Sequence, residues 1–224
     1  MPAFVLIHAP LAGPSSWSLV ADELRSRGYV TVVPSLTGVA DGGPPYWPRY
    51  GAAAAQALIG LPVDTPVVLV AHSGAGFFLP LVRQATGQPV QRYIFADAVV
   101  PEDGTLPDEG GYFSRIAVEG FIPPFSEEVL RLAGIEDGGV RARFVSELRS
   151  LPLAVYQEPV PVFPGWPDAP CAYLRFTRTD PGAYRDYVER ALREGWGYRE
   201  LPGGHFHMLV DPQAVAEALV ELAG

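Results

Sequence analysis

The sequence has a single cysteine, no lysine and no long apolar run. Because Cys171 stands alone among 224 residues, a disulfide framework and a site built from several thiolates are excluded. All 16 basic residues are arginine and 25 residues are acidic, which gives a net charge of −9. Without a basic stripe, the chain is not expected to bind nucleic acid or an anionic membrane. No apolar run approaches the roughly 20 residues needed to cross a bilayer.

The length and composition predict one domain over residues 1–224, with 48% hydrophobic residues for its core. The N-terminus has no basic region before its first apolar run, so we expect no secretory signal and a cytoplasmic protein. The expected partner is a small-molecule substrate, with no cofactor and no metal. The sequence leaves the oligomeric state open, a homodimer included.

Apolar strands alternate with helices along most of the chain. Strands are predicted at residues 3–8, 29–33, 66–71, 91–96, 171–177 and 196–201, and helices at 17–28, 52–59, 75–86, 181–194 and 212–223. This alternation predicts an α/β fold with a mostly parallel, doubly wound sheet. Residues 101–166 depart from it, because they are rich in proline, glycine and aromatics and carry only short helical patches.

The most informative segment is the strand, turn and helix around Ser73. An apolar run ends at Ala71, turns through His72-Ser73-Gly74 and continues as a further apolar run. A serine on so sharp a turn has a strained backbone and an exposed hydroxyl, as a nucleophile requires. Ala71 and Ala75 stand where the G-x-S-x-G motif has glycines, and their small side chains let strand and helix approach. The alternative is a buried strand, a turn and a core helix with an inert serine.

A base for this serine is expected near the C-terminus. His205 follows Gly203-Gly204 in a loop after the last predicted strand, from which it can reach over the sheet edge. His207 is the alternative, but in an extended segment it points the opposite way. His8 and His72 lie in predicted turns, and we expect structural roles for them.

These segments together resemble the α/β-hydrolase superfamily. The matching residues are the strand and loop from Phe4 to Pro10, the turn from Ala71 to Gly76, and Gly204-His205. The segment Asp97-Ala98-Val99-Val100-Pro101-Glu102-Asp103-Gly104 is similar to one in small bacterial esterase-like members, related to the hydroxynitrile-lyase and methyl-esterase group. The resemblance implies an α/β-hydrolase fold with residues 101–166 as a cap insert, and Ser73 and His205 as catalytic residues.

Two carboxylates compete for the role of triad acid. Asp180 follows a predicted strand, where the superfamily usually has its acid, although it is equally suited to cap a helix before Pro181. Asp97 ends an earlier strand, a position that some members use, and its alternative role is to bind loop amides. We slightly favour Asp180. Either one would have to accept the N–H of His205.

The oxyanion hole is where the sequence departs from the family pattern. One donor is expected to be the N–H of Gly74, the residue after the nucleophile. The second normally comes from the loop after the first matched strand, but Pro10 occupies that position and has no N–H. Leu11 N–H, or a hydroxyl of Ser15 or Ser16, is the expected substitute.

Three functions are consistent with these residues. The favoured one is a serine hydrolase that cleaves a small apolar ester, lactone or thioester through an acyl-enzyme. The second is a cofactor-free lyase, cyclase or isomerase that uses Ser73 and His205 as acid and base, suggested by Pro10. The third is a binding protein without turnover. For substrate contacts we expect six aromatic residues of the insert region, namely Tyr112, Phe113, Phe121, Phe125, Tyr156 and Phe163.

Overall fold

A computed structural model shows the fold and describes residues 1–180 and 182–224. The strands are β1 (Ala3–Ile7), β2 (Thr31–Val32), β3 (Val67–His72), β4 (Val90–Ala96), β5 (Phe121–Ile122), β6 (Leu151–Pro152), β7 (Cys171–Phe176) and β8 (Gly197–Leu201). Six of them form one sheet in the order β2-β1-β3-β4-β7-β8, and all its neighbouring pairs are parallel. The predicted parallel α/β sheet is confirmed.

Helices cover both faces of this sheet. They are α1 (Ser15–Ser26), α2 (Tyr46–Gln56), α3 (Leu79–Ala85), α4 (Tyr112–Ile116), α5 (Glu127–Leu132), α6 (Gly138–Glu147), α7 (Arg185–Arg193) and α8 (Pro212–Ala223). Helices α1 and α8 pack on one face, while α2, α3 and α7 pack on the other. Among the described helices, none is long and apolar enough to span a membrane.

The strand pattern explains why both faces are covered. Successive side chains of a strand point to opposite faces, so Val5 and Ile7 of β1 join one core while Phe4 and Leu6 join the other. All five residues of β1 are fully buried. A continuous apolar run is therefore needed, as is typical of parallel strands with helices on both sides.

Several elements differ from the boundaries predicted above, and α1 begins at Ser15 instead of Trp17. The strand predicted at 29–33 is shortened to β2, and the helix predicted at 52–59 begins earlier, after Pro44-Pro45. The helix predicted at 75–86 begins as the 3₁₀ helix Ser73–Phe78 and becomes α-helical only in α3. The helix predicted from residue 181 is observed as α7, and Pro181 lies outside the described residues.

Residues 101–166, the insert, hold α4, α5 and α6 and an antiparallel pair of strands, β5 and β6. This pair is separate from the main sheet. The insert contributes much of the wall of a cavity that also contains Ser73.

Candidate active site

The turn after β3 places Ser73 at the C-terminal edge of the sheet. Ser73 has φ +58°, a left-handed conformation that non-glycine residues rarely adopt, and it opens the 3₁₀ helix Ser73–Phe78. The turn is held to the loop after β4, because Val99 N–H donates to Ser73 O at 3.1 Å. This is the strained strand-to-helix turn that the sequence predicts.

The tightest backbone approach at this turn is at Gly76. A β-carbon there would lie 1.8 Å from Val99 O, which no side chain tolerates. Ala71 and Ala75 are small and fully buried, as expected. The glycine that the geometry requires is therefore Gly76, three residues after the serine, and the sequence analysis did not single it out.

His205 is hydrogen-bonded to Asp97. Its Nδ1 lies 2.8 Å from Asp97 Oδ2, and the Asp97 side chain is fully buried. The same carboxylate accepts from Thr179 Oγ1 at 2.6 Å and from Phe176 N–H at 3.3 Å. These contacts orient both oxygens of Asp97. The other ring nitrogen of His205, Nε2, has no hydrogen-bond partner among the described residues. Asp97 has φ +46°, which marks a second strained position at the end of a strand.

Asp180, the acid that we slightly favoured from sequence, does not contact His205. Its Oδ1 accepts from Gly182 N–H at 2.8 Å at the protein surface, a local turn that involves only its own loop. Nor does it cap α7, whose N-cap residue is Tyr184. The preference for Asp180 as the partner of His205 is therefore wrong, because Asp97, directly after β4, makes the contact.

The other three histidines lie outside the cavity. His207 is buried with its ring against Gly203 and Phe176, and burial lowers its pKa. His8 joins two loops, since Nδ1–H donates to Ala9 O at 2.9 Å and Nε2 accepts from Leu36 N–H at 3.0 Å. Burial lowers its pKa from 6.5 to about 4, so the ring is neutral at pH 7.

His72 contacts both the backbone and the ring of His205. Its Nε2–H donates to His205 O at 2.7 Å, and the two rings pack with centroids 4.4 Å apart. Burial, and secondarily the neighbouring His205, hold the pKa of His72 well below its usual value. His72 is therefore neutral and positions the histidine loop, a structural role.

A tyrosine that the sequence analysis did not identify lies between the serine and the histidine. Tyr184 Oη is 3.4 Å from Ser73 Oγ, and its ring stacks on that of His205 with centroids 5.5 Å apart. Within the described chain, Ser73 Oγ makes this hydrogen bond and none to His205. Such serine–histidine contacts are often long or absent before a substrate is bound. No motif marks Tyr184, which precedes α7 and is 111 residues from the serine.

The backbone around Gly74, at the start of the 3₁₀ helix, is where the oxyanion hole is predicted. Ser73 and Gly74 begin the 3₁₀ helix, and the first N–H groups of a helix have no partner within it. Pro10 lies against this part of the backbone, with Cδ 3.4 Å from where a β-carbon of Gly74 would be. Leu11 lines the cavity, and its N–H donates to no described residue.

The two serines considered as substitute donors do not line the cavity. Ser16 Oγ donates to Gly13 O at 2.8 Å, and Ser15 Oγ is buried without a partner among the described residues. Neither hydroxyl reaches the site.

The cavity has a volume of about 390 Å³, and its wall is rich in aromatic residues. Ser73, Gly74 and His205 form one part of its wall. The aromatic residues of the wall are Phe77, Tyr112, Phe113, Phe125, Tyr156, Tyr184 and Tyr187. Four of the six predicted aromatics are thus present, whereas Phe121 is half-exposed on β5 and Phe163 packs on Trp166. Glu109 is the one carboxylate of the described wall, which contains no arginine.

No group of three histidine, cysteine, aspartate or glutamate residues in the described ranges is arranged to hold a metal ion. The chemistry considered below uses the side chains of Ser73, His205 and Asp97 and the backbone N–H groups around Gly74.

Comparison with solved structures shows the same fold in several enzymes. An extracellular α/β-hydrolase from a Paenibacillus species, described as sharing structural and functional homology with tobacco salicylic acid binding protein 2, is 21% identical. Each chain is covered to 99%, with a TM-score of 0.78. Tomato methylketone synthase I, complexed with β-ketoheptanoate, is 14% identical over 99% of this chain and 97% of its own, with a TM-score of 0.78.

A pyrethroid hydrolase from Sphingobium faniae JZ-2 is 19% identical over 99% of this chain and 97% of its own, with a TM-score of 0.72. At these identities the likeness shows the fold. No curated protein sequence matches the chain.

The model of the alpha/beta hydrolase family matches residues 4–218, nearly the whole chain. This range includes the strained serine turn, the histidine loop and the aspartate that binds the histidine. The resemblance inferred from the motifs is confirmed, and the chain belongs to the alpha/beta hydrolase family.

Proposed function

We propose that this protein is a serine hydrolase that cleaves a small, neutral, apolar ester through Ser73, His205 and Asp97. The observation that carries the proposal is the hydrogen bond of 2.8 Å between His205 Nδ1 and buried Asp97, in a histidine that shares one cavity with Ser73. An aspartate in this place fixes the tautomer of His205 with its proton on Nδ1. Nε2 is then free to take a proton.

The reaction proceeds by acyl transfer. Ser73 Oγ attacks the ester carbonyl carbon and gives its proton to His205 Nε2, while the carbonyl π electrons move to the oxygen. Asp97 stabilises the imidazolium that forms. Collapse of the intermediate breaks the bond to the alkoxide leaving group, which takes the proton from His205 and departs as an alcohol. Water then attacks the acyl-enzyme with His205 as base, and releases the acid and Ser73.

The wall of the cavity supports the choice of a neutral substrate. A carboxylate substrate usually finds an arginine or lysine, but the described wall offers aromatic rings, aliphatic groups and the carboxylate of Glu109. An anionic substrate would be repelled by Glu109 and would lack a counter-ion. A volume of about 390 Å³ suits a substrate of small-molecule size. The structural neighbour named as a pyrethroid hydrolase is consistent with a hydrolytic reaction.

The proposal is tested by labelling and turnover together. We expect a fluorophosphonate to add once to the wild-type protein, as seen in the intact mass, and not to Ser73→Ala. Hydrolysis of short p-nitrophenyl esters should be lost in the same variant. Ser16→Ala, which changes a serine outside the cavity, serves as the matched control and should be labelled. A folded wild-type protein that takes up no label and turns over no ester would contradict the proposal.

A second candidate is a cofactor-free lyase or isomerase with Ser73 and His205 as acid and base. It is favoured by Pro10, because that residue removes a backbone donor that acyl transfer normally uses. Under this function, Ser73 would not be acylated, and activity toward its own substrate would survive fluorophosphonate treatment. The labelling experiment therefore separates the two.

A further inference from the structure

We propose that the Tyr156 hydroxyl is the second donor of the oxyanion hole, in place of the N–H that Pro10 lacks. This inference rests on the proposed acyl transfer at Ser73 and adds a catalytic residue from the insert. From the sequence alone, Tyr156 is expected only to contact the substrate through its ring.

The first argument is proximity to Gly74. A β-carbon at Gly74 would lie 2.8 Å from Tyr156 Oη, and Pro10 Cδ and Cγ are the next nearest atoms, at 3.4 and 3.8 Å. The hydroxyl therefore fills the space beside Gly74, whose N–H is the first donor. It also explains why this residue is glycine, since any larger residue would collide with the hydroxyl.

The second argument is the orientation of Pro10. Its Cδ is bonded to the backbone nitrogen and lies against Gly74. The nitrogen is thus turned toward the corner where a donor is needed, but it carries a methylene group instead of a hydrogen. The backbone donor that Pro10 lacks is thus missing beside Gly74, where the Tyr156 hydroxyl lies.

The third argument is that the Tyr156 hydroxyl is fixed and unused. The ring is 4% exposed and packs on Phe113 with centroids 4.3 Å apart. The backbone is held at both ends, because Tyr156 N–H donates to Leu153 O at 2.9 Å and Asp108 N–H donates to Tyr156 O at 3.0 Å. Within the described chain the hydroxyl has no hydrogen-bond partner. Tyr156 lines the cavity, and its hydroxyl is not among the fully buried polar atoms without a partner, so it is open to a ligand bound there.

The hydroxyl is a donor over the whole working pH range. Burial raises the pKa of Tyr156, with smaller contributions from the nearby Tyr50 and Tyr184. Two rival donors fit less well. Leu11 N–H is not among the three nearest atoms to the Gly74 position, and Tyr184 Oη binds the nucleophile itself.

The test compares Tyr156→Phe with Tyr29→Phe, which removes a hydroxyl outside the cavity from a ring packed on Phe4. We expect Tyr156→Phe to lower kcat for p-nitrophenyl esters about 100-fold with little change in KM, since one oxyanion donor is worth about 10² to 10³ in kcat. The rate of fluorophosphonate labelling should fall in parallel. Tyr29→Phe should keep both rates. Because the lost hydroxyl has no protein partner, the melting temperature of Tyr156→Phe should equal or exceed that of the wild type.

A double-mutant cycle with Gly74→Ala tests the contact itself. In the wild-type background the new methyl group meets the hydroxyl, and we expect a large loss of kcat. In the Tyr156→Phe background the obstacle is gone, so Gly74→Ala should reduce kcat less than fivefold. If the losses of kcat in the two single variants simply multiply in the double variant, the proposed contact between the Tyr156 hydroxyl and Gly74 is refuted.

The outcomes separate this inference from the proposed function. Ester turnover by the wild type with an unchanged kcat in Tyr156→Phe would overturn the donor assignment and leave the hydrolase intact. A wild-type protein with neither turnover nor label would overturn both. A loss of kcat accompanied by a lower melting temperature and an additive cycle would show a structural role, and would also overturn the assignment.

Discussion

Replacing Asp97 by Asn should nearly abolish turnover, whereas the same change at Asp180 should have little effect. The two carboxylates were the competing acids in the sequence, and the structure places only Asp97 on His205, at 2.8 Å. Asp180 instead accepts from Gly182 N–H at the surface. The pair of variants is matched, because each replaces one carboxylate by an amide of the same shape.

The size of the expected loss of kcat follows from the attraction between the charges of His205 and Asp97 during the reaction. In the proposed mechanism, His205 becomes an imidazolium beside the carboxylate of Asp97 in the transition state. At about 4 Å between charge centres and an effective dielectric constant near 20, their attraction is about 4 kcal/mol. This energy corresponds to about 10³ in kcat. An amide also donates to Nδ1 and so stabilises the wrong tautomer, and the combined effect of such changes is about 10⁴.

The assay is steady-state hydrolysis of a p-nitrophenyl ester, with circular dichroism to confirm that both variants fold. We expect Asp97→Asn to lose about 10³ to 10⁴ in kcat and Asp180→Asn to stay within about twofold of the wild type. Full activity in Asp97→Asn, or a large loss confined to Asp180→Asn, would refute the assignment of the acid.

Two further predictions concern stability. Gly76→Ala should lower the free energy of unfolding by about 3 kcal/mol in urea titrations, because its β-carbon meets Val99 O, while Gly60→Ala, where nothing lies within 4 Å, should not. Equal stability of these two variants would contradict the close approach. The low pKa of buried His8, about 4 against 6.5 when unfolded, means that the unfolded chain binds the proton first as pH falls. The contribution of His8 to the free energy of unfolding is therefore intact above pH 6.5. By pH 4.5 the free energy of unfolding should fall by about 2 to 3 kcal/mol because of His8. His8→Gln should flatten this part of the stability profile, and an unchanged slope would contradict the argument.

The fold and the strained serine turn could be predicted because their signals are local. Continuous apolar strands between helices specify a parallel sheet covered on both faces, and the run that ends in His72-Ser73-Gly74 specifies the turn. The Gly203-Gly204-His205 loop is equally local. Each signal spans fewer than about 15 residues, within the reach of periodicity and turn chemistry.

The partner of His205 was mispredicted because both candidates follow a strand and only the spatial arrangement separates them. Asp97 accepts hydrogen bonds from Thr179 and Phe176, which are 82 and 79 residues away in the sequence. Both donors lie at or just beyond the end of the neighbouring strand β7. The contact of Tyr184 with Ser73 and the approach of Tyr156 to Gly74 also join residues far apart in the sequence. No periodicity or spacing encodes such contacts, so they require the structure.

The most direct test of the central claim, acylation of Ser73, is the pre-steady-state release of p-nitrophenol. A rapid burst before the steady state shows that the acyl-enzyme forms faster than it is hydrolysed. We predict a burst of about one equivalent per protein chain, and an intact mass increased by one acyl group that disappears in Ser73→Ala. Release without a burst, no acyl adduct on quenched protein and unchanged turnover in Ser73→Ala would contradict the account.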